Sequence, residues 1–302
     1  MKERTKDISS QQSPKYECTC NYKLKNSLYS HMFIEDFCFS FAIQFSRLNR
    51  SDSFYDIKPQ EDSLTKYLTN ENFNFLQYDL DQILQQNVYS LIMSGKAYIE
   101  IVILKDQDNN LKSISFIPLK VLIAKRHSDR TEFIAQLFNG NKIKYNVEKE
   151  NLIVLDLKDL GFNRKYFVRL INKMAKIDLL DYSIYSQTAK GFDIEKFKRL
   201  SEFKLLYLNR KTYWCGRNYA NQHMSESYLL YRMAHYKMLR LKFLDYILSK
   251  YNTALERFKT EYAFEGRIIT TEKRIDYAKC LEDLKEGNLS TSQVSDIINS
   301  MK

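Results

Sequence analysis

A chain of 302 residues with 44% hydrophobic side chains can bury one large core or two ordinary ones, which excludes disorder throughout. Seven glycines and three prolines are too few for a β-propeller or a collagen-like segment, and five irregularly spaced cysteines do not make a disulfide framework, so long regular elements in a reducing compartment are expected. The net charge of +10 is unevenly placed, with 21 Lys/Arg against 21 Asp/Glu in residues 1–160, 20 against 8 in residues 161–260, and 6 against 8 in residues 261–302.

Residues 1–30 are polar, rich in lysine and without sustained periodicity, so they read as an N-terminal arm. No apolar run follows a basic start there, and no secretory leader is expected. From Met32 to Leu48, phenylalanines at 33, 37, 41 and 45 recur every four residues and predict a helix. Glu35 and Asp36 interrupt its apolar run, which is too short to span a bilayer and reads as core. A polar connection from Ser51 to Gln60 and a short helix at Ser63–Leu68 lead to the stretch Tyr78–Leu119. There Leu80, Ile83, Leu84, Val88, Leu91 and Ile92 keep helical spacing up to Gly95, a residue free to take positive φ. KAYIEIVIL, the turn formers KDQDNN and LKSISFIPL then read as a hairpin ending at Pro118.

The period of two continues to Leu157. TEFIAQLF and NKIKYNV flank Asn139-Gly140, the strongest short hairpin cue, and NLIVLDL adds a strand, for about five in all before Gly161. Helices are expected at Arg164–Thr188 and Asp193–Tyr213, separated by Lys190-Gly191. The longest runs from Ser225 to Phe258, where Leu230, Ala234, Leu241, Leu244, Leu248, Tyr251, Leu255 and Phe258 make a near-heptad stripe that Lys237 interrupts. Thr271–Glu286 and Thr291–Ser300 close the chain, the last opened by a capping box of Ser290 and Gln293. The expected fold class is α+β, with a polar arm (1–30), a mixed helix and antiparallel-strand block (31–160) and a mainly helical half with one long helix (161–302).

Catalytic constellations are not apparent. Ser94-Gly95-Lys96 is no phosphate loop, since Ser90 stands where that motif needs glycine, Ala97 where it needs Ser or Thr, and the order is helix to strand. Cys18, Cys20, His31 and Cys38 are zinc-ligand types at an atypical Cys-x-Cys spacing, and free thiols are the reading. His223 and His235 lack a carboxylate placed as in metalloprotease helices. Glu35-Asp36, Asp106/Asp108 and Glu282-Asp283 sit in an apolar run, a turn and a helix face, and no Ser or Cys stands in a nucleophile elbow. A non-enzymatic protein without metal or cofactor is expected.

The basic block suits a polyanion, nucleic acid before an acidic membrane, and reads equally as a solvated lysine-coated face. Its richest segment is FKRLSEFKLLYLNRKTYWCGRNYANQHMSESYLLYRMAHYKMLRLKFL (197–244), where cations that neutralise phosphates stand beside aromatic faces that stack on bases. The aromatics read more readily as core or subunit-interface anchors, with the cations lining a solvated face. Arg210, Lys211, Arg217, Lys237, Arg240 and Lys242 are the candidate nucleic-acid-binding residues, on clustering alone.

The stretch NVYSLIMSGKAYIEIVILKDQDNNLKSISFIPLKVLI resembles the wing region of tailed-phage portal proteins. In these a helix ends in glycine, an A-Y-x-E-like strand and a short acidic turn follow, and the next strand ends in proline-leucine. Gly95, Ala97, Tyr98, Glu100, Asp106, Pro118 and Leu119 stand at the matching places. NLIVLDL with Gly161-Phe162 is similar to the strand before that family's helical part, and SESYLLYRMAHYKMLRLKFLDYILSKYNTAL is similar in character to its stem and crown. The match covers 78–160 and, more loosely, 161–300. Portals are usually longer, and no separate clip segment for terminase docking is identifiable here. The resemblance implies a virion subunit in a ring of about twelve copies, at a capsid vertex through which double-stranded DNA passes, with capsid, packaging-motor and connector proteins as partners and no membrane. Assembly would take place in the bacterial cytoplasm. The alternative is a basic, non-enzymatic nucleic-acid-binding accessory protein of a replicating or mobile element.

Overall fold

The computed structural model describes residues 17–18, 28–39, 55–58, 64, 67–68, 80–119, 121–136, 142–178, 194–215, 225–270 and 275–299. The fold is α+β. Its strands are β1 (Glu17–Cys18), β2 (Tyr55–Lys58), β3 (Lys96–Lys105), β4 (Leu111–Pro118), β5 (Val121–Arg126), β6 (Arg130–Gln136), β7 (Lys142–Glu148), β8 (Leu152–Asp156) and β9 (Arg267–Thr270). Its helices are α1 (Leu28–Phe39), α2 (Leu80–Ser94), α3 (Tyr166–Asp178), α4 (Ile194–Thr212), the 37-residue α5 (Glu226–Tyr262), α6 (Tyr277–Glu286) and α7 (Thr291–Asn299). The chain divides into two compact units. The first holds residues 1–22, 41–167 and 244–271, the second 23–40, 168–243 and 272–302, so that α5 supplies side chains to both cores.

The first unit is built around the end of α2. Leu84, Val88, Leu91 and Ile92 are fully buried along one face, and the helix stops at Gly95, whose φ of +76° lies in the left-handed region. The chain then reverses into β3, the centre of a three-stranded antiparallel sheet of order β4-β3-β8. Ile101 faces Phe116 across one ladder and Ile99 faces Ile153 across the other. The turn between β3 and β4 is held by the Asp106 carboxylate, which accepts from the amides of Asp108 (3.0 Å) and Asn110 (2.8 Å). A second antiparallel sheet, β1-β5-β6-β7, packs on the first through Tyr98, Ala124, Phe133 and Val147. The β6–β7 hairpin forms as its sequence leads one to expect, although the Asn139-Gly140 turn itself lies outside the described residues.

Residues 244–262 of α5 complete this core. Tyr251 stacks on Phe116 at 4.5 Å between ring centroids and accepts a hydrogen bond from the Asn87 amide of α2. Asn252 brackets Ile268, donating to its carbonyl (2.7 Å) and accepting from its amide (2.9 Å), which fastens the β2–β9 ribbon to the helix. Sequence patterning misses this ribbon, because four-residue strands next to a long helix are shorter than any periodicity window. It also undercounts the longer strands: β5 follows β4 after only two residues, so that five expected strands become six.

A polar node ties the turn after β8 to its surroundings. Arg164 grips the Asp156 carboxylate in a forked pair, and its Cβ lies 2.6 Å from where a side chain at Gly95 would begin. The Gly95 carbonyl accepts from the Leu157 amide at 2.9 Å. The Tyr246 hydroxyl accepts from the Asp156 amide (2.8 Å) and reaches Asp159 Oδ2 (2.8 Å), which also meets Lys250 Nζ at 3.0 Å.

The second unit is helical. Leu230 and Ala234 of α5 pack with Tyr277, Val294 and Ile298 of α6 and α7. The capping box opens α7 as its sequence predicts: the Ser290 amide donates to Gln293 Oε1 (2.8 Å) and the Gln293 amide to Ser290 Oγ (3.3 Å). Helix α1 starts at Leu28, four residues before the predicted Met32, and buries Phe33 and Phe37; the rest of the predicted helix, to Leu48, and most of Ser63–Leu68 lie outside the described residues.

Two outcomes are expected. Gly95→Ala places a methyl group 2.6 Å from Arg164 and strains the left-handed backbone, so it should destabilise the fold by about 2 kcal/mol or more, read as a lowered melting temperature. Burial pushes the Asp156 carboxyl up, but Arg164, the Lys158 amide and Lys96 outweigh it and hold the group below the usual carboxylate range. Its stabilisation is therefore present at neutral pH and lost as pH falls through that depressed value. Asp156→Asn should melt below the native chain at pH 7 by about 1–3 kcal/mol, with the gap closing in acid; a gap that is constant with pH contradicts the assignment.

Candidate nucleic-acid interface

The second unit carries most of the basic block, and α4 decides how it is displayed. Leu205, Leu208, Asn209 and Thr212 of this helix are buried. Asn209 accepts from the Tyr29 hydroxyl of α1 at 3.0 Å, which fixes the helix's rotation about its axis. Arg199, Phe203, Lys204, Tyr207, Arg210 and Lys211 fall on the opposite side, within an arc of about 140° at 3.6 residues per turn, and all six are exposed. Phe203 is 73% exposed and Tyr207 51%, and Lys211 Nζ lies 5.2 Å above the Tyr207 ring.

The helix ends where Tyr213 takes a φ of +58°, costly for a residue with a Cβ. The reversal sends neighbouring aromatics in opposite directions. Trp214 is buried against Tyr29 (5.1 Å) and Phe33 (5.3 Å), with its Nε1 donating to Asp36 at 3.0 Å, and its carbonyl accepts from the buried Arg232. Tyr213 stays near the surface, packed on His235 (4.7 Å) and on Tyr231, which is 40% exposed and stacks on Tyr228. Burial holds the His235 imidazole below its ordinary value.

The six candidate cations part company in the structure. Arg210 and Lys211 stand together on the exposed arc of α4. Lys242 is exposed on α5, about 140° around the helix from Lys237, so the two do not share a face. Lys237 and Arg240 are partly buried, and Lys237 donates to the Ile298 carbonyl in the last turn of α7, where a cation complements the helix dipole. Burial, then the Arg240 charge, pushes Lys237 down to about 8, and burial lowers Arg240 as well. Arg217 lies outside the described residues. Sequence reasoning missed Arg199, Phe203, Lys204 and Tyr207. The four-residue spacing of Arg199, Phe203 and Tyr207 was legible, but Leu205 and Leu208 offer a rival face, and only packing tells which one turns inward.

The zinc-type set gains no geometry: Cys20 lies outside the described residues, burial pushes the Cys38 thiol far up, and His31 Nε2 sits 3.1 Å from Glu35. No three metal-ligating side chains converge among the described residues, and none of their helices is long and apolar enough to cross a membrane. Compared with known proteins, the chain matches no family model and no curated protein.

Lys237 supplies a pH signature. The unfolded chain keeps this lysine protonated to about pH 10.5, the folded chain only to about 8, so between these values the unfolded state binds more protons and stability rises with pH. Denaturant midpoints measured from pH 7 to 10.5 should rise more steeply in the native chain than in Lys237→Met, and parallel profiles would remove the lysine from this role.

Proposed function

We propose that this chain is a portal-like structural subunit that assembles into a closed ring around a nucleic-acid channel. The reading is carried by the order of elements about Gly95. A helix ends in a left-handed glycine, an antiparallel hairpin follows with its Pro118-Leu119 end, and β8 returns to pair with the first strand of that hairpin. The long α5 comes later in the helical half. This is the order of the portal wing and the helical segments behind it, and the residues of the resemblance occupy structural places: Tyr98 anchors the packing of the two sheets and Asp106 closes the turn. The role is architectural, with capsid, packaging-motor and connector proteins as partners and double-stranded DNA as cargo.

A second reading has its own observation. The arc of α4 places four cations and two aromatic rings together in solvent, which favours a basic nucleic-acid-binding accessory protein. Native mass spectrometry separates the two. A ring reading requires a mass near twelve times that of the subunit at micromolar protein. A monomer at that concentration overturns it, and a monomer that binds DNA in low salt supports the second reading.

A further inference from the structure

We infer that the exposed arc of α4 is a binding platform for single-stranded nucleic acid, with Phe203 and Tyr207 as the stacking rings and Arg199, Lys204, Arg210 and Lys211 as the phosphate contacts. The inference rests on the nucleic-acid reading of the basic block and narrows it to one helix face and one class of ligand.

Exposure comes first. Among the described residues, Tyr89, Phe203, Tyr207 and Tyr231 are the large hydrophobic side chains most exposed to solvent. Phe203 and Tyr207 lie on this arc, and Tyr231 packs on Tyr213, one residue beyond the end of α4. A phenylalanine 73% exposed on a helix that buries Leu205 and Leu208 on the other side is a surface in want of a partner.

Charge selects the partner. The six described side chains of the arc are four cations and two rings. Docking the arc on the same arc of a second copy would set four cations against four, which opposes association. A polyanion with flat apolar faces meets both needs at once, since phosphates pair with the flanking cations and bases lie on the rings.

Spacing selects the strand state. One helical turn separates Phe203 from Tyr207, so their rings are offset by about 6 Å along the axis at 1.5 Å per residue. Bases in a duplex are stacked on one another with phosphates about 3.4 Å apart along each strand, and they offer no free face to a side chain. Only an unpaired, extended strand can lay successive bases on rings spaced so widely.

The test uses the full chain and fluorescence anisotropy with a labelled oligothymidine of about 20 nucleotides and a mixed-sequence duplex of the same length. The native chain should prefer the single strand. Phe203→Ala and Tyr207→Ala should each weaken single-strand binding roughly tenfold, from a stacking contribution of about 1–3 kcal/mol per base, and should change duplex binding little. Arg210→Gln with Lys211→Gln should lower the slope of log affinity against log salt by about 1.4, at roughly 0.7 per phosphate contact. Phe203→Trp should keep affinity, and its new indole should be quenched by the oligothymidine; an indole that the oligomer leaves unquenched overturns the platform. Stronger binding of the duplex, with both alanine variants unaffected, overturns the single-strand inference and leaves the nucleic-acid reading standing. Binding of neither oligomer overturns both. A change of native mass in the alanine variants, with single-strand affinity intact, makes the arc a protein contact and also defeats the inference.

Discussion

The first unit depends on one backbone reversal. At Gly95 a helix must give way within a single residue to the central strand of a sheet, and the space beside it is taken by the backbone and Cβ of Arg164. Only a residue without a Cβ fits a left-handed backbone under that contact. Because Arg164 also holds Asp156, and Leu157 donates to the Gly95 carbonyl, one reversal aligns α2, β3, β8 and the turn that leads into α3. A disturbance there would reach every element of the three-stranded sheet.

Helix α5 shows how one regular element can serve two cores. Its side chains from 226 to 243 belong to the helical unit and those from 244 to 262 to the sheet unit, and the polar groups it buries differ accordingly. Lys237 closes the end of α7, whereas Asn252 holds the edge of β9 and Tyr251 meets Asn87. Each of these groups has a hydrogen-bonding partner, as burial requires, since an orphaned polar group costs roughly 1–3 kcal/mol. The apparent interruption of the apolar stripe at Lys237 is therefore a helix-capping contact. The same partners that make α5 a scaffold also take Lys237 away from any phosphate.

Display to solvent follows from the same packing. With Asn209 bonded to Tyr29 and Trp214 inserted beside Phe33, α4 has one orientation, and that orientation turns two aromatic rings and four cations outward. A cation's value to an anionic partner depends on its hydration, so the exposed Arg210 and Lys211 differ in kind from the partly buried Lys237 and Arg240. Clustering along the chain does not see this difference, because residues three to five apart on a helix can stand on one face or on opposite ones.

Much of the architecture was legible in the residues alone. Spacings of three and four marked α2 and α5, the Asn139-Gly140 turn between two strand-like runs marked the β6–β7 hairpin, Gly95 marked the helix stop, and Ser290 with Gln293 marked the start of α7, because each is written within a few turns of chain. The β2–β9 ribbon was not, since its strands meet from opposite ends of the sequence and are held by an asparagine on a third element. By itself the sequence determined the fold class, the order of the helices and the confinement of positive charge to residues 161–260. Tertiary structure decided which side of α4 faces water, which aromatics are core and which cations are engaged. Those are matters of burial, and burial is fixed by contacts between residues far apart in the chain.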